Sequence, residues 1–245
     1  MSLDRKQLKA EAKDRLARAK VNPYGFTLVY LIVSAVLGAL SFYTSAPRIV
    51  ESIDQLQIPE LSLEIRNSLY ISFFSKLPAL PSGSAAFIGI LVWLVAVLLQ
   101  AGVVLYHLGV FRGEERPFST LFEGFGIAGK VIVLALLESI FVFLWSLLFV
   151  IPGIIAVYRY RFALYSLCED PEMRSSDALR RSKQLTRGFK WRLFVLDLSF
   201  LGWDLLSGLT GHILDIWLDP YKSQTDMGYY HAIKAIQDGD TPAAE

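Results

Sequence analysis

Five ionisable residues lie inside long apolar stretches of this sequence and are its first candidates for chemistry: Glu138, Arg159, Arg161, Asp197 and Asp204. A charged side chain in hydrocarbon is costly, so such residues face the interior of a helix bundle, where they pair or line a polar cavity. Three interpretations are open. The residues form an ion-pair set that fixes helix register, a binding cavity for a polar or lipid-like ligand, or a proton or ion route.

Depth along the helices suggests which of these residues meet. Glu138 and Arg161 each lie eight residues from the charged end of their apolar segment, which corresponds to a depth of ~12 Å. An antiparallel hairpin would bring the two together. Asp197 is a second acidic partner for Arg159 or Arg161, and Asp204 shares its helix face because the two aspartates are seven residues apart.

Basic residues form a second candidate set in the last connector between apolar segments. Five of them are expected at the level of the lipid headgroups: Arg180, Arg181, Lys183, Arg187 and Lys190. They either serve only to hold this connector on the cytoplasmic side or bind lipid phosphates. The stretch 175–190 is expected to form a helix that Ser176 or Asp177 caps and Gly188 closes.

A glycine-rich stretch, Gly124–Gly129, matches the G-x-G-x-x-G pattern of nucleotide-binding loops, and Lys130 extends the match. Both phosphate-binding fingerprints need a preceding strand in a soluble βαβ unit, and the second needs Ser or Thr where Val131 stands. We therefore expect a connector that leads into the next apolar helix, and no nucleotide.

The sequence contains no set of residues typical of a catalytic or metal site. Cys168 is the single cysteine, so neither an intrachain disulfide nor a cysteine-based metal cluster is expected. The histidines, His107, His212 and His231, stand far apart without metal-ligand spacing, and no nucleophile with a matching base is recognisable. We expect no cofactor, no metal and no enzymatic activity.

The elements that position these residues are predicted from long apolar runs separated by charged clusters. Of 245 residues, 53% are hydrophobic and 19% charged, and the mean hydropathy is +0.43. This pattern is typical of an all-α, polytopic membrane helix bundle. The bundle is expected over residues 24–221, with an outer loop at 45–84, a polar C-terminal segment at 222–245, and membrane segments at about 25–44, 85–106, 131–150, 153–168 and 192–210.

Two features of the predicted topology are a hairpin turn and a sixth element. The pair Pro152 and Gly153 is expected to make the turn of a hairpin at the outer face. A sixth element, from Ile213 to about Ile236, carries several charges, so its crossing is left open together with the side of the C-terminus.

The N-terminal residues 1–23 are expected to form a basic amphipathic helix. Leu3, Leu8, Ala12 and Leu16 lie near one face, and the helix either lies on an anionic membrane surface or is solvated and acts as a topology signal. Basic residues in the later connectors favour a cytoplasmic N-terminus. Nucleic acid is not expected as a partner, since no face is broadly basic outside these segments.

Several segments, in order and spacing, resemble a bacterial multi-pass membrane family known as domain of unknown function 975. They are FSTLFEGFGIAGK, IPGII, LRRSKQLTRG, LSFLGWDLL and WLDPYKSQTDMGYY. The resemblance covers nearly the whole chain and implies a helical protein of the bacterial plasma membrane with about six helices and no established activity. The chain is also distantly similar to the membrane domain of some glycerophosphodiester phosphodiesterases, which supplies no catalytic residues.

One departure from the family pattern concerns the last turn. Similar members usually carry two glycines near positions 212 and 214, where this chain has His212 and Leu214. A tight turn before the last helix is therefore less secure here.

Taken together, these features predict an integral membrane protein that is not an enzyme and that scaffolds partners or organises lipids. The expected partners are the bilayer, anionic lipids and other membrane proteins. The alternative function is a transporter or permease-like carrier that uses the intramembrane charges.

Overall fold

A computed structural model describes residues 4–55, of which 45–55 by their backbone, and residues 84–238. Across these residues the fold is all-α, as the sequence predicted. The helices are α1 (Arg5–Arg18), α2 (Pro23–Gln55), α3 (Ser84–Arg112), α4 (Ala128–Leu148), α5 (Val150–Tyr160), α6 (Ala163–Glu169), α7 (Ser175–Leu185), α8 (Lys190–Leu198), α9 (Leu201–Leu209) and α10 (Asp215–Asp238), with a 3₁₀ helix at Phe118–Ile127.

Local sequence signals account for the first two helix starts. The Asp4 side chain accepts a hydrogen bond from the Lys6 amide at 2.9 Å and caps α1. The Asn22 side chain accepts from the amides of Tyr24 and Gly25, at 3.0 and 3.3 Å, ahead of Pro23 in the first position of α2. Such side chains satisfy amides that lack a partner within the helix, and proline at this position has no amide hydrogen to satisfy.

Three helical stretches are long and apolar enough to cross a membrane: Pro23–Thr44, Ser84–Arg112 and Phe118–Leu148. The other two predicted spans are each divided between two shorter helices. Helices α5 and α6 cover 153–168, with 11 and 7 residues, and α8 and α9 cover 192–210, with 9 residues each. Helix α2 also continues to Gln55, past the predicted end of the first span, and residues 56–83 of the predicted outer loop lie outside the described residues.

The chain divides into two compact units. The first combines Met1–Tyr30 with Val97–Glu245, and the second is Leu31–Ala96, which holds most of the apolar length of α2 and the first part of α3. Every candidate residue of the sequence analysis belongs to the first unit. The core of this unit includes Phe162, Leu167, Leu193, Tyr230 and Ile233, all fully buried.

Helices α4 and α5 form the predicted hairpin, but its turn lies three residues before the predicted position at Pro152 and Gly153. The break is at Phe149, whose backbone is extended with φ −162° and ψ 155°. Pro152 lies in the first turn of α5, where a missing amide hydrogen costs no helical hydrogen bond. Gly153 lies against Ser146 of α4, where a Cβ atom would overlap the serine, so this glycine serves close packing and not the turn.

The break between α5 and α6 is stabilised by the hydroxyl groups of Ser182 in α7 and of Thr186, the residue that follows α7. Ser182 donates a hydrogen bond to the Arg159 carbonyl at 2.9 Å and accepts one from the Phe162 amide at 3.1 Å, and Thr186 donates to the same carbonyl at 3.2 Å. These bonds replace the backbone partners that an uninterrupted helix would supply. They fix the break next to Arg161.

The apolar face of α1 is covered by protein and not by the membrane surface that the sequence analysis considered. Leu8, Ala12 and Leu16 are buried, and α1 packs against α10. Lys9 donates a hydrogen bond to the Ser199 hydroxyl at 2.7 Å, and the Arg15 guanidinium lies 4.2 Å from the centre of the Phe111 ring. The basic residues of the opposite face stay exposed.

The turn between α9 and α10 forms without the two family glycines. Gly211 and His212 both adopt positive φ, 65° and 66°. Positive φ is unfavourable for most residues, although histidine adopts it more readily than most. The His212 ring is hydrogen-bonded to the Asp215 carboxylate at 2.8 Å, and the His212 backbone amide donates to the Ser207 carbonyl at 2.9 Å. These two hydrogen bonds stabilise the turn.

The glycine-rich stretch serves helix packing where it contacts α3. Gly124 lies against the Leu98 carbonyl, and Gly102 of α3 lies against the backbone of Leu121, so that a Cβ atom at either position would overlap main-chain atoms. Gly126 and Gly129, in contrast, have open space around them.

The substitution Gly102→Ala should therefore destabilise the first unit. In an ordinary helix this change is stabilising by about 1 kcal/mol, but here the methyl group overlaps backbone that cannot rotate away, and a net loss of about 1–3 kcal/mol is expected. Thermal unfolding of the purified protein in mild detergent measures the effect. The matched control is Gly129→Ala, which should unfold at or above the wild-type temperature; equal unfolding temperatures for both variants would contradict the packing.

Candidate functional site

The centre of the first unit is the guanidinium of Arg161, which binds two aspartates. It contacts Asp197 of α8 through both terminal nitrogens, at 2.6 and 2.8 Å, and Asp226 of α10 at 2.8 and 2.9 Å. The Tyr158 hydroxyl donates to Asp197 at 2.8 Å. Such bidentate charge-assisted bonds are among the strongest in proteins, and they join α5, α8 and α10 at one point.

The structure distributes the five predicted intramembrane residues over several places. Asp197 was expected to pair with Arg159 or Arg161, and in the structure it pairs with Arg161. Asp204 pairs instead with Lys222 of α10 at 2.8 Å. Arg159 faces away from these acids, and Glu138 has no hydrogen-bond or ion-pair partner among the residues that the structure describes.

Helix α10 supplies charged residues that were not predicted as site residues; of these, Lys222 and Asp226 were assigned to the polar C-terminal segment. Asp215, Asp219, Lys222 and Asp226 follow one another at spacings of four, three and four residues, which places them on one helical face. This spacing is present in the sequence, and it predicts a helix with one charged face that pairs with charged residues of other helices.

Four of the five predicted headgroup residues line a common pocket, named here the cationic pocket. It has a volume of about 420 Å³, and its lining residues are Arg159, Arg180, Lys183, Gln184, Arg187 and Lys190. The lining contains no carboxylate, and the nearest acid to it among the described ion pairs is Asp177, 4.0 Å from Arg180. Burial and the neighbouring charges of Arg159 and Lys183 lower the pKa of Lys190.

Arg181, the fifth predicted headgroup residue, faces a different partner. It lies 3.8 Å from the Glu169 carboxylate, which also accepts hydrogen bonds from Tyr230 at 2.6 Å and from Lys234 at 2.9 Å. Burial raises the pKa of Glu169, but the bonds from Tyr230 and Lys234 outweigh it and leave the pKa below its usual value. This cluster fastens the C-terminal part of α10 to α6 and α7.

A polar cavity adjoins the Arg161 ion pairs, named here the α10 cavity. Its volume is about 300 Å³, and residues from the start of α2, the end of α3, α6 and α10 line it. Its polar lining includes Gln100, His107, Tyr165, Asp219, Lys222 and Asp226. The described residues contain no group of three or more histidine, cysteine or acidic side chains that could hold a metal ion.

Comparison with known proteins gives a family. The family described as "Protein of unknown function (DUF975)" matches residues 1–163 and 147–237, which together cover most of the chain. The chain belongs to the DUF975 family. No curated protein and no solved structure matches it. Membership agrees with the resemblance seen in the sequence, and it assigns no activity to either cavity of this DUF975 protein.

Removal of the Arg161 charge should be strongly destabilising in this DUF975 chain. Arg161→Gln leaves the mostly buried Asp226 and the 36% exposed Asp197 without their cation. Loss of one partner of a fully buried pair costs about 3–5 kcal/mol, which is the upper bound here. Arg159→Gln, two residues away in the cationic pocket, removes the same charge without breaking an ion pair and should change stability by less than about 1 kcal/mol. Thermal unfolding in detergent compares the two. Equal losses would show that the Arg161 pairs contribute little.

Asp219 gives the DUF975 protein a defined pH dependence. Burial raises the pKa of Asp219 to about 6; Asp215 and Asp204 add to this shift, while Lys222 and His212 oppose it. The ordinary value is 3.8, so between about pH 4 and pH 6 the folded protein binds more protons than the unfolded chain. The stability contributed by this group is therefore greatest below pH 4 and falls as the pH rises through 6.

The variant Asp219→Asn isolates this effect. It should unfold at a higher temperature than the wild type at pH 7, and the difference should disappear near pH 4, where the wild-type carboxyl is protonated in both states. Asp14→Asn, at an exposed position of α1, is the matched control for the removal of one carboxylate. A pH-independent difference for Asp219→Asn would contradict the assignment.

Proposed function

We propose that this protein is a non-enzymatic, multi-pass protein of the bacterial plasma membrane that binds anionic lipid headgroups in the cationic pocket, with its N-terminus in the cytoplasm. The observation that carries the proposal is the pocket itself. Five cations converge on a space of about 420 Å³ whose lining offers them no acid. Like charges brought together in this way are stabilised by a bound anion.

The polar groups of the pocket support a phosphate ligand. The Nε atom of Arg159 is buried and has no hydrogen-bond partner within the described part of the chain. A guanidinium that keeps free donors beside lysine side chains suits the geometry of a phosphate.

Aromatic residues beside the pocket support its location at the membrane interface. The Arg159 guanidinium lies 5.8 Å from the centre of the Trp145 ring. Trp191 follows Lys190 directly and is 71% exposed. Tryptophan is enriched at the level of the headgroups, where its ring meets both hydrocarbon and polar groups.

The apolar end of the α4–α5 hairpin supports the same placement. Leu147, Phe149 and Ile151 are each about 70% exposed, which is unfavourable in water over so many neighbouring residues. Phe149 lies ten residues before Arg159, a helical rise of ~15 Å, or half of a ~30 Å hydrocarbon core. With Arg159 at the phosphates, the turn would lie within the hydrocarbon, whereas the sequence prediction placed it at the outer face.

Lipid binding to purified full-length protein in nanodiscs tests the proposal. The protein should prefer phosphatidylglycerol over phosphatidylcholine. The triple variant Lys183→Gln, Arg187→Gln, Lys190→Gln should lose about a hundredfold in affinity, since each cation near an anionic surface contributes about 1 kcal/mol. Native mass spectrometry counts the bound lipids.

The matched control removes the same charge from the exposed face of α1, by Lys6→Gln, Lys13→Gln and Arg18→Gln. This variant should keep nearly wild-type lipid binding. An equal loss in both triple variants would mean that net charge alone attracts the lipid, and the pocket proposal would be abandoned. Competition by inorganic phosphate would indicate that the pocket recognises the phosphate group without the acyl chains.

The alternative function, a carrier, is supported by the α10 cavity beside the Arg161 ion pairs, because carriers place their substrate in polar sites between helices. None of the five residues predicted for a carrier lines this cavity. Arg161 and Asp204 are connected to it only through their ion pairs with the lining residues Asp226 and Lys222. Uptake of a ligand into proteoliposomes would support a carrier, whereas binding without uptake would favour the first function.

A further inference from the structure

The charge around the α10 cavity is unbalanced. Arg161 is shared between Asp197 and Asp226, and Lys222 is paired with Asp204. Asp219 lines the cavity and has no ion-pair partner among the described residues. The cavity lining thus holds one cation, Lys222, and two carboxylates, those of Asp219 and Asp226. With the ion-pair partners of these lining residues and of Arg161 included, two cations stand against four carboxylates. In a partly buried site this excess of negative charge is attractive to a cation.

A buried histidine supplies a hydrogen-bond donor to the same cavity. His107 is 2% exposed and lines the cavity. The Gln224 amide nitrogen donates to the His107 carbonyl at 2.9 Å and lies 3.0 Å from the His107 Nδ1 atom. The carbonyl can only accept, so the amide nitrogen is correctly placed, and Nδ1 must also accept. The ring proton is then on Nε2, which has no partner among the described residues.

The remaining free groups of the cavity include a hydroxyl. Tyr165 packs its ring against Phe162 and Tyr230, with ring centres 5.7 Å away in both cases. Its hydroxyl has no hydrogen-bond partner within residues 4–44 and 84–238. The cavity thus presents a free carboxylate, a free N–H donor and a free hydroxyl, so a suitable ligand carries a positive charge together with a hydrogen-bond acceptor.

The cavity lies near the ends of two candidate spans. Thr27 lies four residues after the start of α2, and His107 lies five residues before the end of α3. In the proposed orientation both ends are cytoplasmic. A volume of about 300 Å³ is at the lower limit for small-molecule sites, which favours a compact ligand.

We infer that the α10 cavity binds a small hydroxylated amine in its protonated form. The ammonium group is held by Asp219, and the hydroxyl group of the ligand accepts from His107 Nε2–H and exchanges a hydrogen bond with Tyr165. This site shares no residue with the cationic pocket, so it stands or fails independently of the lipid-binding function.

Isothermal titration of full-length protein in mild detergent tests the inference with ethanolamine hydrochloride as the probe. Ethylamine lacks the hydroxyl, and ethylene glycol lacks the charge. Ethanolamine should bind, ethylamine should bind several-fold more weakly, and ethylene glycol should not bind. Sodium chloride at the same concentration should produce no comparable heat or thermal shift.

Two variants locate the site. Asp219→Asn should lower the affinity for ethanolamine at least tenfold, and Tyr165→Phe, which keeps the ring contacts, should lower it several-fold. Because Asp219 has no ion pair to lose, its variant should remain folded, and thermal unfolding without ligand verifies this. Asp14→Asn, far from the cavity in sequence and exposed, should bind as the wild type does.

Three results would overturn the inference. They are the absence of ethanolamine binding to the folded protein, equal affinity in Asp219→Asn and the wild type, and an equal response to ethylene glycol or sodium chloride. Loss of lipid binding in the cationic-pocket variants with ethanolamine binding intact would show that the two sites are separate.

Discussion

The fold depends on the burial of one guanidinium, that of Arg161. It contacts Asp197, 36 residues away, and Asp226, 65 residues away. A charge in this position is costly unless several hydrogen bonds compensate for lost hydration. The two aspartates meet this requirement only when α5, α8 and α10 lie around one point. The same requirement explains why α10, polar over much of its length, packs inside the first unit.

The break between α5 and α6 makes that burial compatible with hydrogen bonding. Arg161 lies where the helix is interrupted, and the hydroxyls of Ser182 and Thr186 serve the carbonyl that the interruption frees. Arg159, two residues earlier, lies about 200° further around a helix and faces the cationic pocket. Two arginines of one segment therefore belong to different surroundings, one neutralised by acids and one among like charges.

This separation gives the molecule two polar sites of opposite character. The cationic pocket has excess positive charge beside exposed tryptophans, and the α10 cavity has excess negative charge near the ends of α2 and α3. Uncompensated charge is tolerated in a folded protein where a ligand or solvent balances it. Membership in DUF975 establishes the family and assigns no ligand to either site.

The sequence by itself determined the all-α class, the three most apolar helices, the family, and the basic residues of the cationic pocket. Hydrophobic runs and charge clusters are local properties, so they can be found without a fold. Only the tertiary structure decided which charged residues form ion pairs. Glu138 was expected near Arg161, but Arg161 pairs with Asp226, which was assigned to the polar C-terminal segment. The tertiary structure also packs the apolar face of α1 against α10 and divides two predicted spans into short helices. These outcomes depend on contacts between residues far apart in the chain, which no local pattern specifies.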